Sequence, residues 1–181
     1  MPLNLTKKYP DLLDLMMSDK ENRDSLRRVF RRDIEENTSF LFRGDCIYPL
    51  KREGKDSMEV LFDHLTSRGE DRADGTHKKY KCRVFEKERS ERLHWIKHHI
   101  EEKSPSCIRV FTCEERTNQG KNATKTYIYD SEQKYVIILE HQRKGGYYLL
   151  TAYYLSEEYG RKQIEKKLKQ SLKRTQGSNH I

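Results

Sequence analysis

The sequence predicts an α+β protein: a four-stranded antiparallel sheet with packed helices, preceded by a mainly helical N-terminal region. Four segments between residues 107 and 155 show strand patterns rich in apolar and aromatic residues, and no helical pattern interrupts them. Residues 86–101 before them and residues 158–173 after them carry apolar side chains at helical spacing. A run of strands that does not alternate with helices is typical of α+β proteins.

The N-terminal half contains both helical and extended patterns. Residues 9–37 predict two short helices, because their apolar residues recur at helical spacing. Residues 39–54 look extended, with a turn at 43–45. Residues 56–68 return to a helical pattern, whereas residues 69–81 are polar and interrupted by glycine, which predicts a loop or linker.

Four candidate strands and two helices make up the second half. The strand patterns cover residues 107–113, 123–130, 134–141 and 146–155. The third and fourth are joined by 142–146, "QRKGG", which predicts a hairpin turn. The helix at 86–101 precedes them, and a helix with Ile164, Leu168 and Leu172 on one face follows them.

The predicted domain boundary lies in the polar segment between the two halves. We expect residues 1–75 to form a mainly helical extension and residues 76–181 to form the main domain. The first part has too few apolar residues for a large core of its own, and small domains are marginally stable even with one. We therefore expect it to pack on the rest of the chain.

Composition restricts the class of protein. Of the 181 residues, 36% are charged and only 34% hydrophobic, but the 10% aromatic fraction is enough to build a compact core. Charges interrupt the N-terminal sequence, and no stretch approaches the ~20 apolar residues that span a bilayer. The four cysteines lack the C-x-x-C spacing of zinc sites. We therefore expect a cytoplasmic protein with no membrane partner, no bound metal and no cofactor.

Positive charge is concentrated in the second half. Residues 1–75 contain 14 basic and 16 acidic residues, whereas residues 76–181 contain 23 and 13. A surplus of positive charge in one part of a chain suits a polyanionic partner such as nucleic acid. General solubility is the alternative explanation.

Aromatic and basic residues are mixed along the last two strands. In a regular strand, Tyr147, Thr151 and Tyr153 would share one face. Tyrosines beside basic residues form surfaces on which nucleobases stack and phosphates are neutralised. We expect Tyr147 and Tyr153 to stack on bases, and Arg143 and Lys144 to bind phosphates. Ordinary amphipathic strands, which are rich in tyrosine, are the alternative.

Two arginines lie on or beside the apolar face of the helix predicted at 86–101. Arg89 falls on the same face as Leu93 and Ile96, and Arg92 lies at its edge. A charged group on an inward face must form an ion pair, extend to solvent or reach a functional site. The sequence leaves a structural ion pair and a cation for a site both open.

A resemblance to a known family covers about residues 83–174. In order, "ERSERLHWIKHHIEE", "IRVF", "KTYIYD", "YVIILE", "GGYYLLTAYYL" and "RKQIEKKLK" resemble phage-associated members of the barnase–EndoU–colicin–RelE-like (BECR) nuclease superfamily. The resemblance implies a helix packed on a four-stranded antiparallel sheet whose opposite face cleaves RNA. A hydroxyl residue on the terminal strand is common in that active site, and here it is Thr151. An arginine often stands in these families where this chain has Lys125.

The resemblance implies a metal-independent endoribonuclease, in a phage or toxin-like context, that forms a 2′,3′-cyclic phosphate. Such chemistry needs a base, an acid and a cation at the phosphate. The candidate residues are His141 as base or acid, Lys125, Arg89 and Arg92 as cations, and Thr151 and Tyr127 as hydrogen-bond donors. RNA, with tRNA among the candidates, and a protein inhibitor or antitoxin are the implied partners. The alternative is an RNA- or DNA-binding or phage-encoded interaction protein without catalysis.

Overall fold

The computed structural model describes residues 3–51, 54–73, 79–103, 106–116 and 120–177. The chain folds into two compact units that are interleaved in sequence. The first comprises Met1–Phe40 and Pro49–His98, and the second comprises Leu41–Tyr48 and His99–Ile181. The predicted division of the chain at residue 75, and the packing of the first part on the second, stay predictions.

Short helices and two antiparallel strand pairs build most of the described chain before residue 101. The helices are α1 (Leu3–Thr6), α2 (Asp19–Phe30), α3 (Ser57–Thr66), α4 (Lys87–Ser90) and α5 (Trp95–Ile100), and a π-helical turn at Arg31–Glu35 extends α2. Ser18 and Glu21 form a capping box at the start of α2. The Phe30 and Phe62 rings meet edge to face in the core of the first unit, with centroids 5.4 Å apart.

Two predictions for the first 81 residues were wrong. Residues 9–17 contain no helix, and residues 69–73 and 79–81 of the predicted loop are strands, whereas its residues 74–78 lie outside the described part of the chain. β3 (Ser67–Ala73) pairs antiparallel with β4 (Lys79–Phe85). The polar composition of this segment gives no strand pattern in the sequence. The pairing of the two strands is stabilised by contacts between residues that lie far apart in the sequence. The Arg83 guanidinium, for example, donates to the Ser67 carbonyl at 2.6 Å.

The helix predicted at 86–101 is interrupted between α4 and α5. The amides of Arg92 and Leu93 donate to carbonyls three residues earlier, at 3.3 and 3.2 Å, and the amide of Ile96 does the same at 3.3 Å. Such bonds wind the backbone more tightly than an α-helix does. Because the turn changes the angular position of every later residue, a single helical face could not be extrapolated across it.

The main sheet has six strands, so the predicted four-stranded sheet is wrong although the protein is α+β. The strands are β1 (Leu41–Phe42), β2 (Asp45–Pro49), β5 (Ile108–Arg116), β6 (Asn122–Asp130), β7 (Tyr135–His141) and β8 (Tyr147–Tyr154). Their order across the sheet is β1-β2-β8-β7-β6-β5. The segment predicted to be extended at 39–54 supplies the two additional strands, of which β2 lies beside β8 and β1 lies at the edge of the sheet. Local periodicity indicates an extended segment but not the strand with which it pairs.

A bulge in β8 changes which side chains share a face. Ile138 pairs with Thr151, but the next residue, Leu139, pairs with Leu149, so Leu150 is an extra residue. Tyr147 therefore lies on the face opposite Thr151 and Tyr153. The prediction that all three share a face was wrong, because it assumed unbroken alternation along β8.

Both faces of the main sheet carry buried side chains. On one face, the helix α6 (Glu158–Gly177) contributes Ile164 to a core that also contains Phe111, Tyr127, Tyr129, Val136 and Leu155. On the other face, Phe42 packs edge-on against Tyr147, with ring centroids 5.4 Å apart. The chain's described helices include none with the length and apolar character required to cross a membrane.

Candidate nucleic-acid interface

A basic concavity of about 910 Å³ lies at the end of the main sheet, beside the β5–β6 and β7–β8 connections. Its charged lining consists of five basic side chains, one carboxylate and one imidazole: Arg116, Lys121, Lys125, Arg143, Lys144, Glu140 and His141. Four of the residues singled out in the sequence, Lys125, His141, Arg143 and Lys144, are thus brought together. The concavity is large enough for a small ligand or a few linked nucleotides.

Two glycines make the turn that presents Arg143 and Lys144. Gly145 and Gly146 have φ angles of 93° and 83°, a region that side chains with a Cβ rarely adopt. A Cβ on Gly146 would also lie 2.7 Å from the Cys46 carbonyl oxygen on the neighbouring strand. The turn is closed by the Gln142 amide, which donates to the Gly146 carbonyl at 3.0 Å. Arg143 and Lys144 are therefore exposed at a turn whose backbone favours glycine at positions 145 and 146.

Three side chains of the lining form a row across adjacent strands. Lys125 on β6 lies opposite Glu140 on β7, which lies opposite Tyr148 on β8. Side chains at paired positions point to the same face and stand about 5 Å apart at Cβ. A cation, a carboxylate and a phenol therefore face the concavity together.

Lys125 also belongs to a hydrogen-bonded network centred on Glu115 of β5. The Glu115 carboxylate accepts a hydrogen bond from Lys125 Nζ at 2.9 Å, and it accepts further bonds from the Tyr127 hydroxyl and from Lys167 of α6. Lys167 Nζ also donates to the Tyr127 hydroxyl at 2.7 Å. Burial raises the pKa of Glu115, but the bonds from Lys167, Tyr127 and Lys125 outweigh this and lower the pKa to about 2.

Tyr127 is a structural residue of this network. Its side chain is only 1% exposed, and its ring stacks on Phe111 with centroids 5.0 Å apart. Burial, followed by the nearby Glu115 carboxylate, raises the pKa of its hydroxyl. The prediction that Tyr127 donates to a ligand is therefore not supported, because its hydroxyl already donates to Glu115.

The sequence interpretation missed Glu115 and Lys167. Each interrupts an apolar pattern: Glu115 follows Phe111 and Cys113 at alternate positions of β5, and Lys167 lies beside Leu168 on α6. A charged residue at such a position requires a partner. That signal was available in the sequence, but it does not identify which residue is the partner.

Thr151 lies one row further along the face that carries Lys125 and Glu140. Its row contains Phe111, Tyr127 and Ile138, one from each of the other three strands. Thr151 is half-buried, and it follows Leu150, which lines the concavity. His141 points to the opposite face, where its ring lies 4.8 Å from Tyr147. The structure therefore places Thr151 on the face of Lys125 but does not bring it together with His141.

The two tyrosines predicted to stack on bases are buried or half-buried rather than exposed. Tyr147 is 9% exposed, because its ring is covered by Phe42 and His141. Tyr153 is half-buried and packs against the core beneath α6. The bulge in β8 instead places Tyr148 in the lining of the concavity.

Arg89 and Arg92 make ion pairs and hydrogen bonds within the first unit. Arg89 lies 3.2 Å from the Glu86 carboxylate and donates to the His64 carbonyl at 3.0 Å. Arg92 pairs with Glu91 at 2.7 Å and lies over the Trp95 ring at 5.3 Å. The sequence left open whether these arginines form structural ion pairs or supply cations to a functional site, and the structure shows ion pairs.

Comparison with known proteins identifies no relative of this chain. No family model, no curated protein and no solved structure matches it. The resemblance to BECR nucleases therefore stays a prediction drawn from the sequence, and the geometry of the concavity carries the functional argument.

Proposed function

We propose that the protein is a metal-independent endoribonuclease that holds the RNA backbone in the basic concavity. The observation that carries this proposal is the lining itself: five basic side chains surround one carboxylate and one imidazole. Arg143 and Lys144 sit at an exposed turn and form no ion pair with a described residue, so that they can neutralise phosphates. Release of counterions from those phosphates would drive association.

The lining supplies the groups that cleavage by an internal nucleophile requires. In the proposed reaction the Glu140 carboxylate takes the proton from the ribose 2′-OH, and the 2′-oxygen attacks the adjacent phosphorus. His141 gives a proton to the 5′-oxygen as the bond from phosphorus to that oxygen breaks. Lys125 stabilises the phosphorane charge, and Thr151, which lies outside the lining and one row further along the face of Lys125, is the proposed hydrogen-bond donor to it. The products are a 2′,3′-cyclic phosphate and a free 5′-hydroxyl.

A second candidate function is RNA binding without turnover. Glu140 and His141 project from opposite faces at the end of β7, and Thr151 lies on the Glu140 face only. This separation favours a binding module, in which the same cations hold phosphates but no proton is transferred. In both cases the proposed partners are RNA, tRNA among them, and an acidic inhibitor or antitoxin that covers the concavity, and the proposed location is the cytoplasm.

The two functions are separated by an assay on labelled RNA in the presence of EDTA. An endoribonuclease produces fragments that end in a 2′,3′-cyclic phosphate, and it leaves DNA of the same sequence intact because DNA lacks the 2′-OH. The His141→Gln and Glu140→Gln variants should each lose about 10²-fold or more of the cleavage rate, because each removes one proton-transfer group, while binding RNA with similar affinity.

Several outcomes would contradict the nuclease proposal. Binding without cleavage by the wild-type protein selects the binding module. Cleavage that requires Mg²⁺, or that acts equally on DNA, excludes attack by the 2′-OH. Absence of RNA binding at low salt removes both candidate functions.

A further inference from the structure

A second, smaller cavity lies beside the basic concavity in the same unit. It has a volume of about 460 Å³ and is formed by the edge strand β5 and the C-terminal half of α6. Its charged lining consists of Lys167, Lys173, Arg174, Glu114 and Glu115. The nuclease proposal assigns no role to this cavity.

The two cavities are immediate neighbours. Cys113 of β5 pairs with Lys125 of β6, and Glu115 pairs with Ala123; in each pair the β5 residue lines the smaller cavity and the β6 residue lines the concavity. Paired residues on antiparallel strands stand about 5 Å apart at Cα. The ion pair between Lys125 and Glu115, at 2.9 Å, therefore forms the wall between the cavities.

This wall does not present a free negative charge to a phosphate chain. The Glu115 carboxylate is ionised, since its pKa is lowered to about 2, but it lies between the ammonium groups of Lys125 and Lys167. Two cations around one carboxylate leave a net positive charge at the junction. A polyanion that crosses from one cavity to the other therefore meets a net positive charge at this junction.

We propose that the smaller cavity is a second phosphate-binding site, so that one RNA strand runs from the concavity across Lys125 to Lys173 and Arg174. This inference rests on the proposed RNA binding and specifies its substrate: a single strand several nucleotides longer than the concavity alone holds. β5 is an edge strand, so no further strand in the described part of the chain lies between it and an RNA strand that continues onto α6. Lys173 and Arg174 are exposed on the last turns of α6, where a phosphate can reach them.

The same helix supplies a matched control. Lys166 and Lys169 are exposed lysines of α6 that do not line the cavity. A variant that neutralises them removes the same charge from the same helix as one that neutralises Lys173 and Arg174. Any difference in RNA affinity between the two variants therefore depends on the position of the removed charges and not on the net charge of the protein.

The test compares a short and a long RNA on the full chain. Fluorescein-labelled 2′-O-methyl oligonucleotides of three and ten nucleotides resist cleavage, and anisotropy measures their affinity. Lys173→Gln with Arg174→Gln should weaken binding of the ten-nucleotide strand and leave the three-nucleotide strand within about twofold of wild type. Between 50 and 200 mM salt, wild-type affinity for the longer strand should fall about sevenfold more than that of the variant, because two phosphate contacts add about 1.4 to the salt slope.

Three other results would refute either the second site or the proposed RNA binding. If Lys166→Gln with Lys169→Gln weakens the long strand equally, only net charge matters and the second site is refuted. If Lys173→Gln with Arg174→Gln weakens the affinity for both oligonucleotide lengths equally, the second site is also refuted, since the two cavities would then not be separate sites. Failure of the wild-type protein to bind either RNA refutes the proposed RNA binding itself, which is a different outcome from loss of length dependence.

Discussion

The arginines of the first unit and most basic side chains of the concavity are used in different ways, although Lys125 and Lys167 of the second unit also form ion pairs. In the first unit each of six arginines forms an ion pair with a nearby carboxylate: Arg23, Arg27, Arg31, Arg32, Arg89 and Arg92. In the second unit, Arg116, Arg143 and Lys144 line the concavity and make no ion pair with any residue in the described part of the chain. Charge that is neutralised within the fold stabilises the fold, whereas charge without an internal partner is available to a ligand.

The chemistry of arginine explains part of this difference. Arg23 and Arg27 lie over the Phe62 ring at 5.0 and 5.2 Å while they pair with carboxylates. A planar guanidinium can stack on an aromatic ring and form a forked ion pair at the same time. The arginines of the first unit thus extend its apolar core towards solvent. Neutralising them should change stability more than binding, and the predictions below test this contrast.

The largest effect is expected at Thr151. The Thr151→Val variant nearly preserves the side chain's shape but removes the hydroxyl, which bonds to no residue in the described ranges. If the hydroxyl contacts the phosphate in the transition state, the cleavage rate falls by about 10²–10³-fold with little change in melting temperature. An unchanged single-turnover rate would exclude Thr151 from the reaction.

The next effect is expected from reversing the charges of the β7–β8 turn. Arg143→Glu with Lys144→Glu should weaken RNA binding by on the order of 10²-fold, because two attractive contacts with phosphate become repulsive. The melting temperature should stay within about 2 °C of wild type, since neither side chain forms an ion pair with a residue that the structure describes. A large fall in melting temperature would show that the turn's charges stabilise the fold and would remove the contrast between the units.

Replacing Gly146 of the β7–β8 turn with alanine should lower the free energy of unfolding more than replacing Gly145. Gly146→Ala should destabilise the protein by about 3 kcal/mol, because a strained φ angle is combined with a close approach to the Cys46 carbonyl. Gly145→Ala, where nothing lies within 4 Å, should cost about 1 kcal/mol. Denaturant unfolding measures both. Equal costs would mean that the contact between the turn and β2 is not maintained in solution.

The Glu115 network should appear in the pH dependence of stability. The pKa of Glu115 is lowered from 4.5 to about 2 in the folded protein, so its contribution is present above pH 4.5 and is lost as the pH falls towards 2. After allowance for solvent screening, the contribution is about 1–2 kcal/mol. Glu115→Gln should be less stable at pH 7, and its stability should decline less between pH 4.5 and 2. Parallel pH profiles for the two proteins would contradict the network.

The smallest effect is expected at Arg23 in the first unit. Arg23 is about half exposed and pairs with Glu59 and Asp63, at 2.6 and 2.9 Å. Arg23→Met should lower the free energy of unfolding by less than about 1 kcal/mol, which is typical of exposed ion pairs. RNA affinity should not change. A loss of affinity comparable with that of the turn variant would show that the first unit also binds RNA.

Local sequence patterns determined the elements at the centre of the second unit. Alternation of apolar residues identified the strands β5 to β8, and two adjacent glycines identified the turn between β7 and β8. Local sequence predicts these elements because the alternation of side chains in a strand and the residue preferences of a turn depend on residues close together in the chain. The turn, together with the basic residues near it, was enough to predict that Arg143 and Lys144 form part of the candidate site.

Only the tertiary structure determined the pairing and burial around those elements. The bulge at Leu150 reversed the faces of Tyr147 and Tyr148, so that one was buried and the other placed in the concavity. The hairpin of β1 and β2 joined the sheet beside β8, and Lys167 reached Glu115 across 52 positions of sequence. Such contacts depend on which surfaces meet after the chain folds. A residue's neighbours along the chain specify its local conformation, but the partner of a buried charge or an edge strand is specified by the packing of the whole unit.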